Sequence, residues 1–248
     1  MTARIDIENI DVHFPIYDAR ARSFRHRVLG IGAGRIGATA NHHVVVRAPN
    51  DISLSVSHGD RLGLVGRNGA GKSTLLRVMS GIYEPGAGSV RVEGRLAALT
   101  NITMGMDMED TGYENILIRG FMLSLTRRQS LERIPEIESF TELGDYLNLP
   151  LRTYSQGMLL RLAFAVSTSI EPEILILDEL IGAGDKWFAE KATQRLKRLA
   201  EGASILVVAS HSRETLLQLC NKAALLREGH LVEIGPVAEI LSRYEKEG

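Results

Sequence analysis

A single cysteine, Cys220, is all the thiol chemistry available to this 248-residue chain. No internal disulfide can staple it, which suits a reducing cytosol. An excess of one charge sign is missing as well. The formal net charge is −1, so no global field selects nucleic acid or a membrane surface as partner. Long apolar runs are also lacking. The nearest, Met158 to Ile170, carries Arg161 and falls short of a bilayer-spanning helix. The N-terminal MTARIDIENI has charges inside its apolar run and does not read as a signal peptide. Internal repeats and low-complexity segments are absent. These absences leave a soluble chain with one large core, or one core plus a subdomain.

Glycine is plentiful, and two glycine-rich stretches compete for attention. In Gly30–Gly37, GIGAGRIG, the inner part from Gly32 to Gly37 matches the dinucleotide fingerprint G-x-G-x-x-G, and Asp51 follows at roughly the distance of a ribose-binding acid. That fingerprint needs a buried strand before it and a helix after it. Upstream stand Arg20, Arg22, Arg25 and Arg27 with His26 among them, and downstream ATANHH has no apolar helical stripe. Asp51 opens the apolar run ISLSV instead of closing a strand. We therefore read Gly30–Gly37 as a flexible loop within a basic insertion spanning 16–47, whose only apolar pattern is VVV at 44–46.

The rest of the chain alternates strands and helices, the pattern of an α/β core with a mostly parallel sheet. Strands are expected at Arg4–Asp11, Ile52–Val56, Arg61–Val65, Ser89–Val92, Arg95–Leu99, Ile174–Leu177 and Ser204–Ala209. A hairpin is expected from Ala223–Arg227 and Leu231–Ile234. Helices are expected at Lys72–Ser80, across most of Tyr113–Phe140, and at Gly157–Ile170, Trp187–Ala200, Arg213–Leu219 and Val237–Glu245. The helical stretch at 113–160 interrupts the alternation and predicts a subdomain.

Gly66-Arg67-Asn68-Gly69-Ala70-Gly71-Lys72-Ser73 fits G-x-x-x-x-G-K-[ST] in full, with a strand before it and a helix after. Glycines let the backbone wrap phosphates with its N–H groups inward. Lys72 is expected to reach the β- and γ-phosphates, Ser73 to ligate Mg²⁺, and Thr74 to support it. Ile174–Leu177 runs into Asp178 and Glu179. A carboxylate at that strand end suits Mg²⁺ (Asp178), and the next one suits polarising an attacking water (Glu179). Ser155 before an apolar helix is a capping hydroxyl, and Gly157 follows it. His211 stands just past the Ser204–Ala209 strand, where it could meet a γ-phosphate. By itself each of the last two is as readily an ordinary cap and an ordinary surface histidine.

Phosphate loop, helical insert, YSQGM, LILDE, Gly182-Ala183-Gly184-Asp185 and a His after the next strand stand in that order over nearly the whole chain. This order resembles the ATP-binding cassette superfamily. The resemblance implies a P-loop ATPase core with a mostly parallel sheet, an N-terminal antiparallel β part and an inserted helical subdomain. The core would cover 1–100 and 165–248, and the subdomain about 101–164. It implies ATP with Mg²⁺, and two copies of the chain sandwiching two ATP molecules. Ser155 and Gly157 of one copy would touch the γ-phosphate held by Lys72 of the other, and Gly182–Asp185 would cross the interface. Phe14 falls where an aromatic stacks on adenine. The phosphate contacts carried over are Gly66, Asn68, Gly69, Ala70, Gly71, Lys72, Ser73 and Thr74. Asn101 aligns with a metal-contacting Gln but is shorter by a methylene. Gln156 and Gly182 also depart from the commoner pattern.

Within that superfamily TGYENI, ELGDYLNLPLRTYSQGM and the long Phe14–Gly66 segment resemble the ATPases of polysaccharide exporters: O-antigen, capsule and teichoic acid systems. The expected role is ATP hydrolysis driving export of a lipid-linked polysaccharide. The partners would be an integral membrane permease at the cytoplasmic face of the inner membrane and, indirectly, the glycan. Some relatives carry a C-terminal glycan-binding domain, which a chain ending at Gly248 is expected to lack. An exporter of a lipid, drug or ion stays open as an alternative. A nontransport cassette acting on nucleic acid would need a coiled-coil insert or tandem cassettes. A small-molecule kinase would not need YSQGM, LILDE and His211 in series.

Overall fold

The computed structural model describes residues 3–16, 36–38, 44–47, 49–178 and 186–246, with the backbone alone for 14–16, 36–38, 44–47, 186 and 187. Contacts divide the chain into two compact units, Met1–Gly94 with Ser204–Gly248, and Arg95–Ala203.

The first unit holds an antiparallel sheet built on β1 (Arg4–Asp11), which pairs with β5 (Ile52–Ser57) on one side and β7 (Ala87–Glu93) on the other. Ile5 and Ile7 point inward by simple alternation, and both are buried. The next inward residue is Ile10 and not Asn9. Asn9 takes φ 47° and shifts the register of both pairings, a bulge that returns Ile10 to the core face. The bulge is held by Ser53, whose hydroxyl accepts from the Asn9 amide and donates to its side chain, both at 2.8 Å. Gly88 faces it at φ 79°, where a Cβ would lie 2.2 Å from the Glu8 carbonyl oxygen.

The same unit holds β6 (Arg61–Val65), which lies between two parallel neighbours, β10 (Ile205–Ala209) and β11 (Lys222–Arg227). Every residue of ILVVA in β10 is buried, as expected of a strand covered on both faces. β12 (His230–Pro236) returns antiparallel along β11. Glu228 (φ 51°) and Gly229 (φ 85°) form the two-residue turn, whose doubled positive φ matches the right-handed twist of a hairpin. Helices α1 (Lys72–Met79), α6 (Arg213–Leu219) and α7 (Val237–Lys246) belong to this unit.

A three-stranded antiparallel sheet places β4 (Val44–Arg47) between β2 (His13–Ile16) and β3 (Ile36–Ala38). This corrects the reading of Gly30–Gly37 as a loop throughout. Gly37 is a strand residue opposite Val45, because VVV offers a β-forming partner a few residues further on. A strand there also removes the helix start that a dinucleotide fingerprint demands at its last glycine. Gly32 and Gly34 lie outside the described residues.

The second unit pairs β8 (Leu96–Leu99) with β9 (Ile174–Asp178) in parallel and carries α2 (Gly112–Met122), α3 (Arg127–Thr141), α4 (Gln156–Ser167) and α5 (Lys186–Gly202). Two short 3₁₀ turns, Gly144–Asn148 and Leu151–Thr153, precede α4. The stretch expected to be mostly helical from Tyr113 to Phe140 is two helices. Thr126 caps the second with a capping box completed by Gln129, just as Thr111 and Glu114 cap the first. Phe140, Phe164 and Phe188 bring α3, α4 and α5 together, with ring centroids 5.6–5.9 Å apart. Arg195 lies 4.4 Å over the Phe140 ring and donates to the Thr168 carbonyl beyond the end of α4. Cation and carbonyl there match the negative end of the helix.

The bulge makes a stability difference measurable. Gly88→Ala and Gly81→Ala both place a side chain at positive φ, but at Gly81 nothing lies within 4 Å of the added atom. Gly88→Ala is expected to lower the denaturant midpoint more than Gly81→Ala does, by the equivalent of at least about 1 kcal/mol. Equal midpoints would show that the Asn9 bulge yields freely.

Candidate functional site

β6 ends at Val65, and the chain enters the loop Gly66–Gly71 before α1 begins at Lys72. Gly66 is a position only glycine fills. Its φ is 154°, and a Cβ would sit 2.4 Å from the Leu226 carbonyl oxygen and 2.9 Å from the Ala70 methyl. Ala70 is buried, and its carbonyl accepts from the Gly229 amide at 3.1 Å. The loop is thus pinned to β11 and to the turn after it. Gly71 is the N-cap of α1 at φ 104° and offers no side-chain cap. The first amides of α1 therefore keep their donor capacity at the positive end of the helix, an arrangement suited to an anion.

Lys72 is 8% exposed. Its Nζ turns back over the loop and donates to the carbonyls of Gly66 (2.6 Å) and Arg67 (3.3 Å). The ammonium is therefore held across the mouth of the loop, with its charge in place before any phosphate arrives. Arg67, Asn68 and Gly69 are exposed, and Ser73 and Thr74 are half-buried in the first turn of α1. The parallel register pairs Ala209 with Leu64. Counting on, Ser210 is level with Val65, and His211 with Gly66. His211 is exposed at the same end of the strands as the loop. Ser212 caps α6 by accepting from Thr215, and its own amide donates to the Ser210 hydroxyl, which ties down the turn that carries His211.

In the second unit Leu177 of β9 is level with Leu99 of β8. Asp178 and Asn101 consequently emerge at the same end of that parallel pair. Asn101 is exposed, and its side-chain oxygen accepts from the Thr103 hydroxyl at 3.3 Å. Ser155 is the N-cap of α4, its hydroxyl accepting from the Met158 amide at 3.2 Å. Ser155 and Gln156 are exposed. At Gly157 an added Cβ would meet nothing nearer than the Ser155 hydroxyl at 3.9 Å. No contact within the described chain requires glycine there; its absent side chain leaves the helix end accessible from outside. Tyr154, just before the cap, donates to the Tyr146 carbonyl at 2.7 Å and stacks edge-on against its ring. Burial pushes its phenol up to about 12, so it stays a neutral donor throughout the physiological range.

The loop and His211 are thus placed together in one unit, and Asn101, Ser155, Gly157 and Asp178 in the other. Glu179 and Gly182–Asp185 lie outside the described residues, as does the side chain of Phe14, whose backbone in β2 pairs with Val46 of β4. Among the described residues no three His, Cys, Asp or Glu side chains converge as a metal site. Sequence reasoning passed over Asn115 and Arg119, two polar residues buried on α2. Their spacing, four apart within TGYENILIRG, was the available signal.

The family model described as ABC transporter matches residues 49–182. An O-antigen export system ATP-binding protein, RfbE of Yersinia enterocolitica, is 45% identical over 94% of this chain and 98% of that protein. RfbB of Myxococcus xanthus, named for the same kind of system, is 38% identical over 82% of this chain and 46% of its own length. A teichoic acids export ATP-binding protein, TagH of Bacillus anthracis, is 38% identical over 80% of this chain, which spans 36% of it. Among solved structures, the ATP-binding subunit of an ABC transporter superposes with a TM-score of 0.67 at 19% identity, covering 98% of this chain and 94% of that one. The dimeric cassette MJ0796 superposes at 0.64 and 18% identity, covering 94% and 98%. These likenesses show the fold: an α/β P-loop core with an antiparallel β part and helices.

The loop geometry yields an expectation for nucleotide binding. Gly66→Ala must move the loop away from Leu226, and it is expected to weaken equilibrium binding of labelled ATP about tenfold or more, roughly 1.4 kcal/mol. Lys72→Ala is expected to weaken it as well, whereas Gly34→Ala leaves it unaltered. Wild-type affinity in both the Gly66 and Lys72 variants would refute the loop as the phosphate cradle.

Proposed function

The chain belongs to the ABC transporter family, and from that premise we propose that it is the ATP-binding and hydrolysing subunit that powers export of a lipid-linked polysaccharide across the cytoplasmic membrane. The observation that carries this reading is the loop Gly66–Gly71 with Lys72 drawn across it by two carbonyls, within a chain that is 45% identical to an O-antigen export ATP-binding protein along nearly its whole length.

The roles follow from the chemistry of each group. Gly66, Asn68, Gly69, Ala70 and Gly71 present backbone amides to the phosphates, and Lys72 neutralises the charge of the transferred phosphoryl group. Phe14 stacks on the adenine. The hydroxyl of Ser73, the carboxylate of Asp178 and the amide oxygen of Asn101 are hard oxygen donors, the kind Mg²⁺ takes; Thr74 supports Ser73. Bound there, Mg²⁺ would supply positive charge against that of the phosphates. Glu179 accepts a proton from the attacking water, and His211 donates to the γ-phosphate. Ser155 and Gly157, at the open end of α4, address the nucleotide held by a second copy of the chain. The core of 1–100 and 165–248 and the helical subdomain of about 101–164 divide the labour accordingly, with Gly182–Asp185 at the interface between copies.

No described helix is long and apolar enough to cross a membrane, and this reading pairs the chain with an integral membrane subunit. An apolar surface in the second unit supports such a partner. Met104, Met108, Phe121 and Met122 are 36–81% exposed, and Gly105, next to Met104, closes on the Met122 thioether. Methionine-rich exposed surface is adaptable and suits docking. The subunit would then sit at the cytoplasmic face.

Two experiments bear on this reading. Glu179→Gln is expected to keep ATP affinity and to lower hydrolysis by roughly 10²–10⁴-fold, the contribution of a positioned base, while ATP traps a stable dimer seen by size exclusion. Wild-type turnover would remove Glu179 from the mechanism. The arginines Arg20, Arg22, Arg25, Arg27 and Arg35 form the second case. Each basic residue near an anionic leaflet contributes on the order of 1 kcal/mol, and guanidinium groups pair bidentately with phosphate. Changing all five to Gln is expected to spare hydrolysis by the isolated subunit and to impair polysaccharide export in cells. Full export at normal protein level and normal assembly would make the segment a passive loop.

A further inference from the structure

Arg119 is a buried cation that stability alone does not explain. It is 8% exposed, burial lowers its pKa, and it takes part in no ion pair among the described residues. Its Nε is buried without a hydrogen-bond partner. Only neutral groups, the Met104 carbonyl and the Ser167 hydroxyl, offset its charge, so its burial carries a desolvation cost that no opposite charge repays. What Arg119 does hold is two separate segments. Nη1 donates to the Met104 carbonyl, in the turn just after Asn101, and Nη2 donates to the Ser167 hydroxyl at 2.9 Å, in the last turn of α4.

One turn earlier on α2, the fully buried Asn115 holds the continuation of that same segment. Its side-chain oxygen accepts from the Asp107 amide at 2.8 Å. Its nitrogen lies 2.9 Å from the Asp107 and Thr111 carbonyls and 3.3 Å from that of Asp110. The segment is then tied to the approach of α4. Asp110 and Met108 carbonyls accept from the Leu151 and Arg152 amides at 3.0 and 2.9 Å, Thr111 bridges Pro150, and Arg152 pairs with Glu109. Ser155 follows directly. The segment 104–111 is therefore fastened near both ends of a twelve-residue helix, which is stiff over that length.

We propose that Arg119 and Asn115 are positioning residues that make the segment 104–111 and helix α4 one mechanical body. A displacement of the turn after Asn101 then moves the Ser155–Gly157 end of α4 with it. The consequence for hydrolysis rests on the proposed role of Ser155 and Gly157; the mechanical coupling itself does not.

The test uses the full chain with Arg119→Met, which keeps an unbranched apolar stem and removes every donor, and Arg119→Lys, which keeps the charge on a single donor group. Amide hydrogen exchange decides the coupling. Arg119→Met is expected to speed exchange both in 103–111 and in the first turn of α4, Gln156–Leu159, with the α3 residues 137–141 unchanged. Arg119→Lys is expected to restore part of the protection. Faster exchange confined to 101–106, or no change, would overturn the proposal. Hydrolysis is the second readout. ATP affinity and KM are expected to stay within about twofold while kcat falls about tenfold, the pattern of a group felt only in the reacting state. A kcat equal to wild type, or a loss of affinity as large as the loss of kcat, would overturn the consequence for hydrolysis, while the exchange pattern alone decides the coupling. A wild-type chain that does not hydrolyse ATP would instead refute the ATPase reading, and exchange alone would then decide. Should Arg119→Met fail to fold, Ser167→Ala removes one acceptor and adds no bulk; it is expected to speed exchange at Gln156–Leu159, and unchanged exchange there would overturn the coupling.

Discussion

A side chain at position 66 would have no room. The Leu226 carbonyl stands 2.4 Å from where its Cβ would be, so glycine alone lets the end of β6 turn against the end of β11. From that close approach the rest of the phosphate loop follows. Ala70 packs inward and accepts from Gly229, α1 starts at Gly71 with its first amides uncapped by a side chain, and Lys72 is brought within reach of the Gly66 and Arg67 carbonyls. Each step places positive potential, from amides, helix end or ammonium, around one small volume. The buried parallel strands β6, β10 and β11 supply the rigidity that keeps the turn in place.

The second unit solves a different problem. It must present the N-terminus of α4 outward while keeping its position defined from within. Three phenylalanines, one each from α3, α4 and α5, fix the C-terminal half of the helix, and arginines tie off its far end at Thr168 and Ser169. Apolar packing tolerates small slides. Directional hydrogen bonds do not, which is the physical reason for the buried Asn115 and Arg119 on α2. The exposed methionines and Phe121 lie on the same unit, so the apolar surface and the tied segment share one framework.

Much of this was legible from local patterns. The stretch RLGLVGRNGAGKST contains its own strand, turn and helix start, and ILILD its own buried strand. Capping at Ser155 was readable for the same reason: donor and acceptor lie within three residues. The break between α2 and α3 was readable in principle from Thr126 and Gln129, which form a second capping box. Illegible was the strand at Ile36–Ala38: a three-residue stretch with glycine at its centre has little β-propensity of its own and is a strand through its pairing with Val44–Val46. The bulge at Asn9 was likewise hidden, because RIDIENID alternates well enough to read as an unbroken strand.

The amino-acid sequence by itself determined the arrangements that neighbours in the chain make together: the loop between β6 and α1 with its lysine, the buried strand that ends at Asp178, and the hydroxyl that caps α4. Such groups need only a few fixed dihedrals to meet, so spacing is enough to identify them. Only the tertiary structure decided that Leu226 forbids a side chain at Gly66, that Asn115 gathers Asp107, Asp110 and Thr111, and that Arg119 joins Met104 to Ser167. Those contacts join elements whose mutual placement is set by burial of apolar surface across the whole unit, a sum over many residues that no short stretch of sequence records.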